Sequence, residues 1–174
     1  MSDTKKIALL VEDEFEQVEF TEPKKALEEA GYTVEVVADK GEVQGLNHIE
    51  PGDKFAVNCS LGNVSPADYA GVVIPGGTLN SDKLRMNEKA RAFVKGLYDE
   101  GKVVAAICHG PWLLVSSGLV QGKKLTSYFT VQDDIRNAGG EWVDEEVVID
   151  GNIITSRKPD DIPAFNKAIL EKLG

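Results

Sequence analysis

Residues 101–118 read Gly-Lys-Val-Val-Ala-Ala-Ile-Cys-His-Gly-Pro-Trp-Leu-Leu-Val-Ser-Ser-Gly, and this stretch decides the fold. Val103 to Ile107 is apolar at every position, the pattern of a strand buried on both faces of a parallel sheet. Gly110 and Pro111 interrupt it, and a second apolar run follows to Val115. Pro111 suits the first turn of a helix, where its missing N–H costs nothing, and Gly118 suits the helix end. Cys108 therefore sits where a strand turns abruptly into a helix, with small Ala106 and Gly110 two residues either side. That is the layout of a nucleophile elbow, with cysteine in place of serine. An isolated free cysteine usually just packs, but this context favours a reactive one. The helix end is expected to stabilise a thiolate.

Composition narrows the setting. The 174 residues suit one domain, 1–174, with a substantial core. Hydrophobic content of 42% and charged content of 28% are ordinary for a globular chain. No apolar run is long enough to span a membrane, and the first residues lack a secretory pattern, so a cytoplasmic location is expected. A formal charge of −10 argues against nucleic acid and anionic membranes as partners. Cys59 and Cys108 make neither a Cys-x-x-Cys pair nor a zinc set, so no metal and no cofactor is expected. His48 and His109 are the only histidines.

Outward from the elbow, residues 5–11 and 32–38 read as strands around a helix whose apolar positions Pro23, Ala26, Leu27 and Ala30 recur at helical spacing. Between strand and helix lies the acidic stretch 12–19, expected as a loop. Residues 40–58 suggest a hairpin carrying His48, expected as a turn or surface residue, and Cys59 is expected in the core. Ser65 and Asn87 are expected helix caps. Residues 71–75 form a buried strand ending in Gly76-Gly77, where backbone N–H groups can face a ligand. Residues 90–98 show a helical face. Asp150-Gly151 signals a hairpin turn, and Asp160 or Asp161 is expected to cap a final helix. The order of elements is that of an open, mostly parallel α/β sandwich. Ligands of such sheets bind beyond the carboxyl ends of the strands, where the acidic stretch, Gly76-Gly77 and Cys108 can converge.

With those motifs in view, the chain resembles the ThiJ/PfpI superfamily. Ala-Ile-Cys-His-Gly-Pro at 106–111 and Ile-Pro-Gly-Gly at 74–77 carry the resemblance. Glu-Phe-Glu-Gln-Val-Glu at 14–19, Thr-Ser-Tyr at 126–128 and Glu-Trp-Val-Asp at 141–144 are similar to the PfpI-like branch of intracellular-protease and general stress proteins. The resemblance implies a flavodoxin-like three-layer α/β/α sandwich, shared with class I glutamine amidotransferases. It implies Cys108 as nucleophile, His109 as its neighbour in the catalytic set, and Glu16 as the acid hydrogen-bonded to the cysteine. Asp82 falls where the branch carries a glutamate given by a neighbouring subunit. The resemblance further implies an oxyanion hole from the Gly77 and His109 amides, with Gly76 and Tyr128 beside the substrate, in a homodimer or hexamer.

Three functions follow as expectations. The first is a stress-protective enzyme acting on reactive carbonyls, of methylglyoxal glyoxalase or deglycase type, which needs thiolate attack on a small aldehyde and proton transfer by Glu16. The second is an intracellular cysteine peptidase taking peptide substrates, which needs His109 turned toward Cys108 and oriented by Asp82. The third is a non-enzymatic redox sensor or stress chaperone, built on oxidation of Cys108. A glutaminase is excluded, because no histidine follows His109 on a late strand.

Overall fold

The uninterrupted apolar runs become the strands of one central sheet. The computed structural model describes residues 4–174. Its first half contains β1 (Lys6–Leu10), β2 (Phe15–Glu16), α1 (Gln17–Glu29), β3 (Thr33–Ala38), β4 (Glu42–Asn47), β5 (Glu50–Ala56) and β6 (Cys59–Ser60). Next come β7 (Gly71–Ile74), α2 (Thr78–Arg85), α3 (Glu88–Asp99), β8 (Val103–Ile107) and α4 (Pro111–Ser116). The last part contains β9 (Lys124–Leu125), α5 (Gln132–Asn137), β10 (Glu141–Trp142), β11 (Val148–Asp150), β12 (Ile153–Ser156) and α6 (Ile162–Leu173).

The main sheet has the order β11-β12-β8-β7-β1-β3-β6. Every neighbouring pair in it is parallel except β11 with β12. The alternation of side chains sorts the core into two layers. Ala8, Leu10, Val72, Ile74, Val104 and Ala106 pack with Leu97 of α3 and Leu113 of α4 on one face. Ile7, Leu9, Val73, Ala105 and Ile107 pack with Phe20 and Leu27 of α1 and Phe165 of α6 on the other. Three layers, helix on sheet on helix, result.

The chain leaves β1 toward β3 on one side, while β7 lies on the other. This is the switch point of an open sheet, where a crevice forms beyond the strand ends. The β4–β5 hairpin pairs β4 in parallel with β2, just after β1, and so brings its tip to that crevice.

Two sequence expectations change here. Helix α1 begins at Gln17, six residues ahead of Pro23, and absorbs the end of the acidic stretch. Its N-cap position is Glu16, which makes no side-chain cap bond, so the usual start signal was absent. Pro23 stands inside the helix. Asp161 occupies the N-cap position of α6 without capping it. Its carboxylate instead accepts from Arg157 Nε at 2.8 Å and Nη2 at 2.9 Å. Ser65 and Asn87 do cap as expected, Asn87 Oδ1 accepting from the amides of Lys89 and Ala90. Cys59 is half-buried and hydrogen-bonded to Glu35 at 3.5 Å.

Candidate active site

Cys108 follows β8 with φ of +64°, a left-handed conformation that costs energy for any residue with a side chain. The neighbourhood fixes it there. Its N–H donates to Ser156 O of β12 at 3.0 Å, and its carbonyl accepts from Tyr128 N at 2.8 Å. Glycine at 110 is required by close approach, since a Cβ would lie 2.7 Å from Ile74 O and 2.9 Å from Ile107 O. The strand-to-helix elbow read from the sequence is present, and Cys108 as a residue is 8% exposed.

Across from it, Glu19 in the first turn of α1 is fully buried. Its Oε1 accepts from Gly76 N at 2.8 Å. Its Oε2 has no hydrogen-bond partner among the described residues, and the Cys108 thiol is the neighbouring group whose interaction with the carboxyl bears on its ionisation. Gly76 lets the backbone come this close: a Cβ there would stand 2.6 Å from Glu19 Oε1 and 2.7 Å from Cys108 Cβ. The acid that the resemblance assigned to Glu16 is therefore Glu19 in this structure. Glu16 lies in the same cavity but turns to the hairpin tip, accepting from His48 N at 3.1 Å, with His48 Nδ1 at 3.5 Å. The helical phase was the available signal. Extending the stripe Leu27–Pro23 back by one turn reaches Phe20 and Glu19, and all four are buried.

The electrostatics follow from burial. Desolvation, opposed by the Gly76 amide and reinforced by the negative charge of Glu16, raises the Glu19 carboxyl to about 8. Burial, then the Glu19 charge, pushes the Cys108 thiol well above its ordinary value. The backbone N–H groups of Gly77 and His109 act the other way by hydrogen-bonding to the sulfur. The expectation of a lowered thiol is thus reversed, because a dry pocket floor and a carboxyl neighbour outweigh the helix end. The two groups are held so that one negative charge suits the pair and two do not.

His109 Nδ1 lies 3.4 Å from Cys108 Sγ. Its Nε2 meets the hydroxyls of Thr78 at 3.4 Å and Thr130 at 3.5 Å. Its ring stacks on Tyr128 with centroids 4.9 Å apart, and burial lowers its proton affinity. Asp82 is exposed on α2 and does not line this cavity. The cavity holds about 580 Å³, and Glu16, Glu19, His48, Gly77, Cys108 and Tyr128 all reach it. The structure thus assembles Cys108, His109, Glu16, Gly77 and Tyr128 at one crevice and adds Glu19, Thr78, Thr130 and His48. Gly76 stands behind the thiol.

The whole arrangement has relatives. Residues 5–172 match the DJ-1/PfpI family. The chain belongs to that family. A protein of Bacillus subtilis named "Putative cysteine protease YraA" is 42% identical over 173 residues, 98% of this chain and 99% of its own length. The protein named deglycase PfpI of Pyrococcus furiosus is 40% identical over 169 residues, 97% of this chain and 99% of its own. A crystal structure from Anabaena variabilis joins a DJ-1/ThiJ/PfpI-like domain to a ferritin-like one. It superposes with a TM-score of 0.93 at 36% identity over 98% of this chain and 48% of that chain. These matches establish the family and its fold. Among the described residues, no helix is long and apolar enough to cross a membrane.

Proposed function

We propose that this family member is an enzyme whose Cys108 thiolate attacks reactive carbonyls of the methylglyoxal type. The observation that carries the reading is the buried Glu19 carboxyl packed beside Cys108 across Gly76 in one cavity, with the Gly77 and His109 amides at the sulfur. Once the pair has given up one of its two protons, the proton that remains rests on Glu19 and leaves the single charge on sulfur. The sulfur then bonds to the aldehyde carbon, the carbonyl electrons move to oxygen, and the two amides face that oxygen. Glu19 gives its proton to the oxygen, producing a hemithioacetal. The carboxylate so formed takes the proton from the first carbon and returns it to the second, while the hydroxyl proton on the first carbon passes to the ketone oxygen, leaving a thioester. Water cleaves the thioester, so the net change is methylglyoxal plus water to lactate. The deglycase name of the Pyrococcus relative points in the same direction.

A second reading, a cysteine peptidase, draws on the 3.4 Å approach of His109 Nδ1 to the sulfur. There His109 takes the thiol proton and later gives it to the leaving amine. Within one chain the Thr78 and Thr130 hydroxyls stand beside its far nitrogen, and Asp82 of a neighbouring subunit is the carboxylate that this reading would use to orient the ring.

The deciding experiment follows methylglyoxal loss with lactate formation, and separately peptide hydrolysis, for the native protein, Cys108→Ala and Glu19→Gln. Carbonyl turnover abolished by Cys108→Ala and strongly reduced by Glu19→Gln supports the proposal. Peptide hydrolysis that needs Cys108 but survives Glu19→Gln, without carbonyl turnover, transfers the assignment to the peptidase.

A further inference from the structure

We propose that Glu16 is a specificity-determining residue that makes the Cys108 cavity admit neutral and cationic carbonyl compounds and turn anionic ones away. The inference rests on the reading of Cys108 as the attacking thiolate of this cavity.

Glu19, not Glu16, is the carboxyl packed against Cys108, so Glu16 is left for another role. Yet its side chain is only 13% exposed and faces the cavity, with both oxygens fixed by the hairpin tip. His48 holds a left-handed conformation, φ +60°, that presents its N–H to Oε2 while its ring stands beside Oε1. A hairpin tip strained in this way fixes a carboxylate in the wall of the cavity.

No positive charge in that wall answers it. Among the described residues, neither Lys nor Arg lines the cavity. His109 is turned toward its neutral form by burial. His48 is the one group that can oppose Glu16, and its side chain is 87% exposed to water, which screens it. Lys83 bonds Glu14, Lys40 bonds Asp13, and Arg157 is shared by Asp144 and Asp161. Arg157 and Lys158 line a separate cavity of about 290 Å³ on the other side of Tyr128. The net charge of −10 adds to the same field.

The floor and the wall therefore treat negative charge differently. The Gly77 and His109 amides at the floor favour charge that develops on a carbonyl oxygen during attack. The Glu16 wall disfavours charge that a substrate already carries, as a carboxylate or phosphate does.

The test needs no turnover, so its failure is distinct from failure of the proposed reaction. Two methanethiosulfonate reagents of similar size are used, one ending in trimethylammonium and one in sulfonate. In each, the thiolate bonds to the divalent sulfur, a disulfide forms and methanesulfinate leaves. Rates at Cys108 are read by peptide mass mapping, which counts Cys59 separately, and are compared with 2-mercaptoethanol. The native cation-to-anion ratio is expected to exceed the mercaptoethanol ratio about tenfold, the scale of one carboxylate within several ångströms at a wetted wall. Glu16→Gln should remove most of that preference. His48→Asn, which tolerates the same backbone, should keep or increase it. A native ratio equal to that of mercaptoethanol, or a preference that survives Glu16→Gln, overturns the proposal. If Glu16→Gln fails to fold, salt decides: the native preference must shrink steeply between low and high ionic strength, and a salt-independent ratio overturns the proposal.

Discussion

Replacing Glu19 by Gln should make the protein more stable, by an amount that depends on pH. The carboxyl is fully buried and holds its proton up to about pH 8, against an ordinary value of 4.5. Between those limits the unfolded chain has released a proton that the folded chain still binds, so stability falls as pH rises. Each pH unit in that window costs ~1.4 kcal/mol. The accumulated loss is below about 1 kcal/mol at pH 5, ~3 kcal/mol at pH 7, and levels off near ~5 kcal/mol above pH 8. Glutamine has the same shape, its carbonyl can still accept from Gly76 N, and it does not titrate. Any fixed cost of its amide is the same at every pH and drops out of the comparison. Urea unfolding of both proteins from pH 5 to 9 should therefore show a stability difference that climbs in favour of Gln and flattens above pH 8. A difference constant with pH would refute the claim that Glu19 carries a proton in the fold, and with it the acid role. Above pH 8 the same substitution removes a carboxylate that discourages ionisation of Cys108, so iodoacetamide should label the variant faster at about pH 9. Carbonyl turnover should fall by about 10²–10⁴, the usual contribution of a general acid–base group. Faster labelling with slower turnover separates loss of the proton carrier from loss of the nucleophile.

Gly76→Ala forces a Cβ against Glu19 Oε1 and Cys108 Cβ; displacing either by about 1 Å should cost on the order of a hundredfold in turnover, read with methylglyoxal, and an unchanged rate would contradict the close packing. Phe20 is fully buried and stacks on Phe15 with centroids 4.6 Å apart, so Phe20→Ala should lower stability by ~3–5 kcal/mol in urea. Asp161→Asn removes the charge that binds Arg157 through Nε and Nη2. Asp144 remains and water reaches the guanidinium, so the loss should be ~1–3 kcal/mol, and it should shrink when Asp144 is replaced first.

The layers were legible because buried parallel strands are apolar at every position. Val103–Ile107 and Gly71–Ile74 could be nothing else, and Cys108 followed from the glycine and proline after β8. The sequence also marked both glycines of the Gly76-Gly77 turn. What it concealed was phase. Glu16 and Glu19 are both glutamates in an acidic stretch, and composition does not separate them. Three residues apart at the start of a helix, they lie on neighbouring parts of one face, and only the placement of α1 on the sheet decides which is swallowed. That start was hidden because Glu16 makes no capping bond and Pro23 resembled a first-turn residue. The thiol was misjudged for a related reason: a helix end is visible in sequence, whereas the dryness of a pocket floor is produced by residues distant along the chain, here Glu19, Gly76 and Tyr128.

The two glutamates also explain each other. A single buried carboxyl beside a thiol could lose its proton to solvent and leave two negative groups competing at one floor. The charge of Glu16, pinned at the wall by His48, opposes that loss and keeps Glu19 in its protonated form. The same charge slightly disfavours the thiolate, a cost that the Gly77 and His109 amides offset locally. On this view Glu16→Gln has two separable consequences. The proton on Glu19 should be released at lower pH, moving the pH dependence of Cys108 labelling downward, and the cavity should lose its preference among charged reagents. Both shifts arise from one charge, so they should appear together in Glu16→Gln. In Glu19→Gln the charge preference should persist while the part of the pH profile that follows Glu19 disappears and ionisation of Cys108 alone remains. A variant that moved the pH profile and left the charge preference untouched would show that Glu16 acts on Glu19 through packing rather than through its field.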